Sequence, residues 1–373
     1  MKTLPETQVE GKNVLFRIDA DVLNNDGVIK HDSRIQASLP TLKYLLENGA
    51  KVTIIGHVGR PEGREVPELK IRPVEDKLIE LLGTHNNWQI LENLRFNKGE
   101  EENDPEFAKQ LAIGQDIFVQ DAFATCHRAH ASTVGAAKLL PSFAGMSVQR
   151  ELEGLQKILA SPAEGFTIII GGKKAEDKLP VIKNLFDKAE NFLVGGVVAD
   201  TFLACQNYDL GKSLIEKEAF EQAREIFEMF SKDSKKKLVL PTDLIFSKSS
   251  EAPVEPIQLS VLNLKSSEHH EWMVVDIGEE TVNNFRKIIY NSKNIFWNGN
   301  LGVTEVPDFA HATKAIAETV VDSNTQKYAG GGDTTTFLKT NGFADKFNYL
   351  SIAGGATLEY LAGKTLPGLE VLE

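Results

Sequence analysis

Gly330-Gly331-Gly332-Asp333-Thr334-Thr335-Thr336 follows the short apolar run Tyr328-Ala329 and precedes a helix-compatible stretch that ends near Asn341-Gly342. Three glycines ahead of a helix start leave backbone N–H groups uncovered, so an anion approaches the positive end of the helix dipole without meeting a Cβ. Asp333, read as the N-cap, repels a bare phosphate. It suits a phosphate that carries Mg²⁺, which takes carboxylate and phosphate oxygens together. The local reading is a metal-nucleotide loop, and a plain Asp-capped helix after a flexible turn is the other. The rest of the chain bears on the choice.

Working outward, the same strand-glycine-helix junction recurs. Phe166 to Ile170 reads as a strand running into Gly171-Gly172, Phe192-Leu193-Val194 runs into Gly195-Gly196, and Ile295-Phe296-Trp297 leads to Gly299. Leu238 to Leu240, Met273 to Val275 and Tyr349 to Ile352 read as further strands, the last ending near Gly354-Gly355. In the first half, strands at Asn13 to Ile18, Lys51 to Ile55, Trp88 to Leu91 and Asp116 to Val119 alternate with helical patterns. These are a helix capped by Ser33 with Ile35, Leu39, Leu42, Leu45 and Leu46 on one face, one near Arg72 to Leu82, and one opened by Asp104-Pro105 and closed by Gly114. Strand and helix alternating predicts parallel α/β architecture. Ligands of such sheets bind beyond the carboxyl ends of the strands, which is where Asp19, His57, Arg60, Arg95 and Arg128 fall.

The chain has 373 residues, which favours two domains over one core. Arg150 to Leu159, with Leu152, Leu155, Ile158 and Leu159 on one face, reads as the helix linking them. A net charge of −12 argues against a general nucleic-acid binder. No signal-peptide core and no run of about 18 apolar residues is present, so the expectation is a cytoplasmic protein without a membrane span. Cys126 and Cys205 form no CxxC motif and are expected to be reduced. Eight of the ten arginines lie in the first 150 residues. Arginine grips carboxylate and phosphate bidentately, so a small anion is expected to dock in that half. His127-Arg128-Ala129-His130 places a cation between two histidines, which disfavours zinc. The lysine-rich run Ser231 to Lys237 reads as a solvated face.

These pieces together resemble the phosphoglycerate kinase family from about residue 11 to the end. They are Arg17-Ile18-Asp19, Asp32-Ser33-Arg34-Ile35, Gly56-His57-Val58-Gly59-Arg60-Pro61, Glu92-Asn93-Leu94-Arg95-Phe96, Asp121-Ala122-Phe123, His127-Arg128-Ala129-His130, Gly171-Gly172-Lys173-Lys174, Trp297-Asn298-Gly299, Gly330-Gly331-Gly332-Asp333-Thr334 and Leu366-Pro367-Gly368. The resemblance implies two Rossmann-like domains with parallel sheets, joined by a linking helix and hinge. It implies reversible phosphoryl transfer between 1,3-bisphosphoglycerate and ADP, giving 3-phosphoglycerate and ATP, with Mg²⁺, in glycolysis and gluconeogenesis, by a monomer. The N-terminal domain, residues 1–149, would take 3-phosphoglycerate, with a tail of about 357–373 packing back on it. Residues 150–356 would supply the linking helix and the nucleotide domain.

Carried over residue by residue, the resemblance places the acidic substrate on Asp19, Asp21, Arg34, His57, Arg60, Arg95 and Arg128. It places the nucleotide on Gly171, Lys174, Lys178, Gly196, Asn298, Glu305, Gly331, Gly332, Asp333 and Thr334. Arg34, Lys174 and Gly332 would act on the transferring group, Glu305 on the ribose hydroxyls, and Asp333 on the magnesium. The chain departs from the family pattern where Asp21 replaces Asn, Lys173 replaces the Ala before the catalytic lysine, Val197 replaces the third glycine after Gly195-Gly196, Asn300 replaces Pro, and Ala353 replaces the first glycine of a triplet. A carboxylate at Asp21 facing the substrate carboxylate at about 4 Å would cost roughly 4 kcal/mol at an effective dielectric near 20. A catalytically weakened, nucleotide-binding relative is therefore the alternative to an active kinase. A dinucleotide oxidoreductase is disfavoured, because no GxGxxG follows an early strand.

Overall fold

The computed structural model describes residues 1–4, 8–24, 26–29, 31–83, 87–252, 256–264 and 269–372. The chain divides into two units, Met1–Glu153 with Lys364–Glu373, and Gly154–Gly363. The division leaves residues 357–363 in the second unit and begins the returning segment at Lys364.

In the first unit the helices and strands run β1 (Asn13–Arg17), α1 (Ser33–Glu47), β2 (Lys51–Ile55), α2 (Arg72–Leu82), β3 (Trp88–Ile90), α3 (Lys98–Glu101), α4 (Pro105–Ala112), β4 (Ile117–Gln120), β5 (Ser142–Ala144) and the start of α5 (Met146–Leu159). All five strands are parallel, in the order β3-β2-β1-β4-β5. The order reverses direction between β1 and β4, the topological switch point at which such sheets bind ligands. Val14, Leu15 and Phe16 are wholly buried, as a strand covered on both faces requires. Asp104 accepts from Phe107 N at 2.8 Å and Pro105 occupies the first helical position, so α4 starts where its cap signal stands. Ser33 is the first residue of α1 rather than its cap, and Pro40 sits inside that helix.

The second unit runs β6 (Phe166–Ile170), α6 (Leu179–Leu185), β7 (Asn191–Val194), α7 (Gly196–Cys205), α8 (Phe220–Ser231), β8 (Lys237–Val239), β9 (Asp243–Ser247), β10 (Ile257–Ser260), β11 (Met273–Ile277), α9 (Glu279–Tyr290), β12 (Asn294–Asn298), α10 (His311–Asp322), β13 (Gln326–Gly330), α11 (Gly332–Thr340), β14 (Tyr349–Leu350) and α12 (Gly355–Leu361). Six strands form a parallel sheet in the order β14-β13-β12-β6-β7-β8, with its switch point between β6 and β12. Trp297 and Phe296 of β12 are fully buried, each contributing on the order of 2–3 kcal/mol of apolar burial.

Two expectations are corrected here. Met273–Ile277 does not join the parallel sheet but pairs antiparallel with β9 in a separate sheet, β10-β9-β11. The cause is tertiary: the buried Asp243 carboxylate accepts from Thr281 N at 2.8 Å and from Gln258 Nε2, tying this sheet to α9. The cap of α11 is Gly331, with φ 94°, and Asp333 stands in the first turn.

Candidate active site

In the first unit the register sets Arg17 beside Ile55 and Gln120 at the ends of β1, β2 and β4. Asp19, His57 and Asp121 therefore emerge at one edge of the sheet. Asp19 is buried and its Oδ2 lies 3.2 Å from Arg34 Nε, while Arg34 Nη1 donates to Asp21 O at 3.1 Å. Burial pushes the Asp19 carboxyl up from its ordinary value, and the Arg34 charge opposes the shift. Asp21 turns its Oδ1 to Gly59 N at 2.9 Å, and its Oδ2 is 3.9 Å from His57 Nε2. Arg95 is buried and donates from Nη1 to Gly59 O at 2.6 Å, with Glu101 Oε1 3.2 Å from its Nε. Arg128 is half-buried, its Nε donating to His127 Nε2 at 3.1 Å. Arg60 is exposed. Of the seven expected anion ligands, the six other than Arg60 are linked by contacts or by the charges acting on His57.

His57 is neutral in this arrangement. Arg17 Nη2 lies 2.9 Å from His57 Nδ1, and a guanidinium only donates, so Nδ1 accepts and the proton resides on Nε2. Burial, and then the charges of Arg17, Arg95, Arg128 and His130, push its pKa well below the ordinary histidine value. The site therefore offers an N–H donor at His57 and leaves positive charge to the arginines.

Sequence reasoning missed what holds Arg17. Its Nε donates to Ser132 Oγ at 2.9 Å, and Ser132 in turn donates to Glu100 from Oγ at 2.6 Å and from N at 3.0 Å. Glu100 is wholly buried, and its Oε1 lies 3.7 Å from His130 Nδ1. Within the acidic run Glu100-Glu101-Glu102 nothing local separates a buried carboxylate from a solvated one.

In the second unit the register aligns the ends of three strands, Ile170 with Asn298 and Asn298 with Gly330. Gly171, Gly299 and Gly331 follow them at the same level. A Cβ on Gly299 would lie 2.0 Å from Gly171 O, and one on Gly171 would lie 2.3 Å from Asn300 O. Only glycine permits these strand ends to touch. Asn298 Nδ2 donates to Gly330 O at 2.9 Å and Gly299 N to Thr334 Oγ1 at 2.7 Å. The buried Thr334 hydroxyl is thus spent on the β12 loop, and what it offers an anion is its N–H in the first turn of α11. Gly332 faces open space, where a Cβ would meet no other part of the fold within 4 Å.

Gly196 closes the other side, since a Cβ there would lie 2.8 Å from Gly172 N, and half-buried Val197 donates its N–H to Gly172 O at 3.1 Å. Lys174 is exposed, and among the described residues its ammonium has no ion-pair partner. Lys178 is buried, and its Nζ donates to Lys174 O at 3.2 Å. Burial lowers its pKa, with the charges of Asp177, Glu216 and Asp333 opposing. Glu305 is held by Lys173, Nζ to Oε1, at 2.8 Å. Asp333 is exposed and in no ion pair among the described residues, and those residues contain no group of three or more His, Cys, Asp or Glu side chains able to hold a metal ion. One free carboxylate beside uncovered helix N–H groups fits a magnesium ion that arrives with polyphosphate, because Mg²⁺ commonly uses one or two carboxylates and completes its octahedron with phosphate and water.

Matches to known proteins span nearly the whole chain. The family model described as phosphoglycerate kinase matches residues 4–364. The phosphoglycerate kinase of Dictyoglomus turgidum is 41% identical, across 99% of this chain and 98% of its own, and that of Thermosipho africanus is 39% identical, across 98% and 96%. Among solved structures, phosphoglycerate kinase from Coxiella burnetii superposes with a TM-score of 0.85 at 35% identity, covering 99% of this chain and 98% of that one. The Pyrococcus horikoshii structure gives 0.84 at 30% identity, covering 100% and 98%.

Proposed function

The chain belongs to the phosphoglycerate kinase family, and from that premise we propose how its residues divide the work. Its activity is that of a phosphotransferase with a carboxyl group as acceptor, moving a phosphoryl group reversibly between 1,3-bisphosphoglycerate and ADP to give 3-phosphoglycerate and ATP. The finer assignment puts 3-phosphoglycerate on residues 1–149 with the returning tail, and nucleotide on residues 150–356.

In the direction that consumes ATP, a carboxylate oxygen of 3-phosphoglycerate attacks the γ-phosphorus as the bond to the ADP oxygen breaks. No proton moves, so the protein supplies alignment and positive charge. Arg34, fixed by Asp19 at 3.2 Å, neutralises the carboxyl end or the moving group. Arg60, Arg95, Arg128 and the His57 N–H hold the far phosphate, each charged hydrogen bond contributing roughly 1.5–3 kcal/mol. Lys174, in no ion pair among the described residues, places its ammonium against the equatorial oxygens, and Gly332 with the first N–H groups of α11 faces the same group. Lys178, Asn298, Gly171, Gly331 and Thr334 position the nucleotide phosphates, and Gly196 lies on the adenine side. Glu305 takes the ribose hydroxyls. Mg²⁺, held through Asp333 and phosphate oxygens, would neutralise charge on the polyphosphate.

The observation that carries this reading is the register that brings Gly171, Gly299 and Gly331 to one level at the strand ends, with the N-terminus of α11 directly after Gly331. The test is formation of 1,3-bisphosphoglycerate from 3-phosphoglycerate and ATP, with and without Mg²⁺, followed through a coupled dehydrogenase. Magnesium-dependent turnover is expected; nucleotide binding without turnover would put the weakened binding protein in its place. We further propose a cytoplasmic monomer. Among the described residues no helix is long and apolar enough to cross a membrane, and sedimentation of the purified chain tests the monomer.

A further inference from the structure

Lys173 stands where the family pattern has alanine, and the structure gives it a specific partner. Its Nζ lies 2.8 Å from Glu305 Oε1, across 132 residues of sequence. Glu305 is the carboxylate set against the ribose hydroxyls, so the ion pair occupies the group a nucleoside would need. Both side chains are largely exposed, at 65% and 62%, which keeps the pair weak enough to exchange. Lys173 follows Gly172, whose N–H is tied to Asn300 O at 2.7 Å, so its backbone is anchored at the carboxyl edge of β6 next to Lys174. The Glu305 hydrogen bond raises its pKa, and the charge of Asp333 adds to the effect, so the ammonium stands within the field of the residue at the start of α11. A compact ammonium on a flexible four-carbon stem can leave a carboxylate for a phosphate oxygen without moving the backbone.

We propose that Lys173 and Glu305 form an exchange latch on the nucleotide site: binding of a nucleoside diphosphate moves the Glu305 carboxylate from the Lys173 ammonium to the vicinal ribose hydroxyls, and moves the ammonium to a phosphate oxygen. Lys173 is then a positioning residue that favours phosphorylated ligands over bare nucleosides. A nucleoside must break the pair and offers nothing in return. A nucleoside diphosphate offers a new anion. The inference rests on the nucleotide reading of this site.

The test is calorimetric titration of the full chain with ADP and with adenosine in the presence of EDTA, comparing wild type, Lys173→Ala, Glu305→Gln and the double variant. Lys173→Ala is expected to tighten adenosine about two- to fivefold, the range of an exposed ion pair, and to weaken ADP about fivefold or more by loss of a charged contact. In the Glu305→Gln background the gain for adenosine should vanish while the loss for ADP remains. If Lys173→Ala moves both ligands in the same direction, or moves neither, the latch is overturned while the nucleotide site stands. If wild type binds neither ADP nor adenosine, the nucleotide reading fails and the latch with it.

Discussion

Replacing Glu100 by glutamine perturbs what supports the proposed anion site without altering any residue assigned to it. Glu100 and Arg17 are both wholly buried, and Ser132 Oγ connects them, accepting from Arg17 Nε at 2.9 Å and donating to Glu100 Oε1 at 2.6 Å. Burial pushes the Glu100 carboxyl up, but His130, Arg17 and Ser132 outweigh it, and its pKa lies below the ordinary value of 4.5. A depressed carboxylate contributes stability that is present above that ordinary value and lost as pH falls through the folded one. Glutamine keeps the shape, removes the charge opposite Arg17, and turns an NH₂ toward one of the two Ser132 donors. Breaking a buried pair costs about 3–5 kcal/mol. Because Arg17 and Glu100 are bridged by the Ser132 hydroxyl and share no direct hydrogen bond among the described residues, the low end applies, about 3 kcal/mol. Hydrogen exchange of the β1 and β4 amides, read by mass spectrometry, reports the opening of this sheet directly. An increase of roughly 100-fold is expected, since each 1.4 kcal/mol is about tenfold. Affinity for 3-phosphoglycerate should fall as well, because Arg17 sets the His57 tautomer. Glu102→Gln, at an exposed neighbour, serves as the control and should stay within about 0.5 kcal/mol. If Glu100→Gln exchanges at the control rate, the buried network does not hold the sheet and the reasoning is refuted.

Three further outcomes follow from the same geometry. Lys174→Ala should lower turnover at least about 100-fold with ADP affinity largely kept, measured by coupled assay and calorimetry; unchanged turnover would remove its assigned role. Asp21→Asn should tighten 3-phosphoglycerate several-fold. Asparagine retains the acceptor for Gly59 N, and at 39% side-chain exposure the repulsion removed is nearer about 1 kcal/mol than the unscreened figure; unaltered affinity would mean that the carboxylate does not face the substrate. Asp121 is buried and accepts from Ser147 N at 2.8 Å through Oδ1; burial pushes its pKa up from 3.8 to about 7, against the hydrogen bonds it accepts. A raised carboxyl contributes stability below its ordinary value that is lost as pH rises through the folded one. The stability of Asp121→Asn relative to wild type should therefore climb between about pH 4 and 7, by up to about 4 kcal/mol, in urea titrations. A flat difference would count against the shift.

Elements whose signals are local were legible in the sequence. Asp104 and Pro105 start a helix by themselves, and the apolar runs at Val14 to Phe16 and Phe166 to Ile170 read as buried strands. The start of α5 was not legible: it begins at Met146, four residues before the expected Arg150, and its first turn is capped by Asp121, 26 residues upstream of Ser147. A cap supplied from another strand leaves no mark next to the helix it starts. The antiparallel sheet was hidden for a similar reason, since Asp243 fixes it through Gln258 and Thr281, far along the chain.

The site divides along the same line. Glycine after each of several strands was visible as composition, yet which three glycines meet depends on register, and register is a property of the sheet rather than of any one strand. Once Ile170, Asn298 and Gly330 are aligned, the requirement for glycine at 299 and 171 follows from approaches of 2.0 and 2.3 Å. The departures at Asp21 and Lys173 resolve in the same way. As isolated letters they are charges added to a proposed substrate site. In the fold Asp21 has Gly59 N for its carboxylate and Lys173 has Glu305 for its ammonium, so each extra charge meets a partner before any ligand arrives. Substitutions of this kind shift what the empty site must give up on binding. On the proposed assignment they are expected to act on affinity and ligand preference, since Arg34, Lys174 and Gly332, the groups assigned to the transferring phosphoryl, are retained.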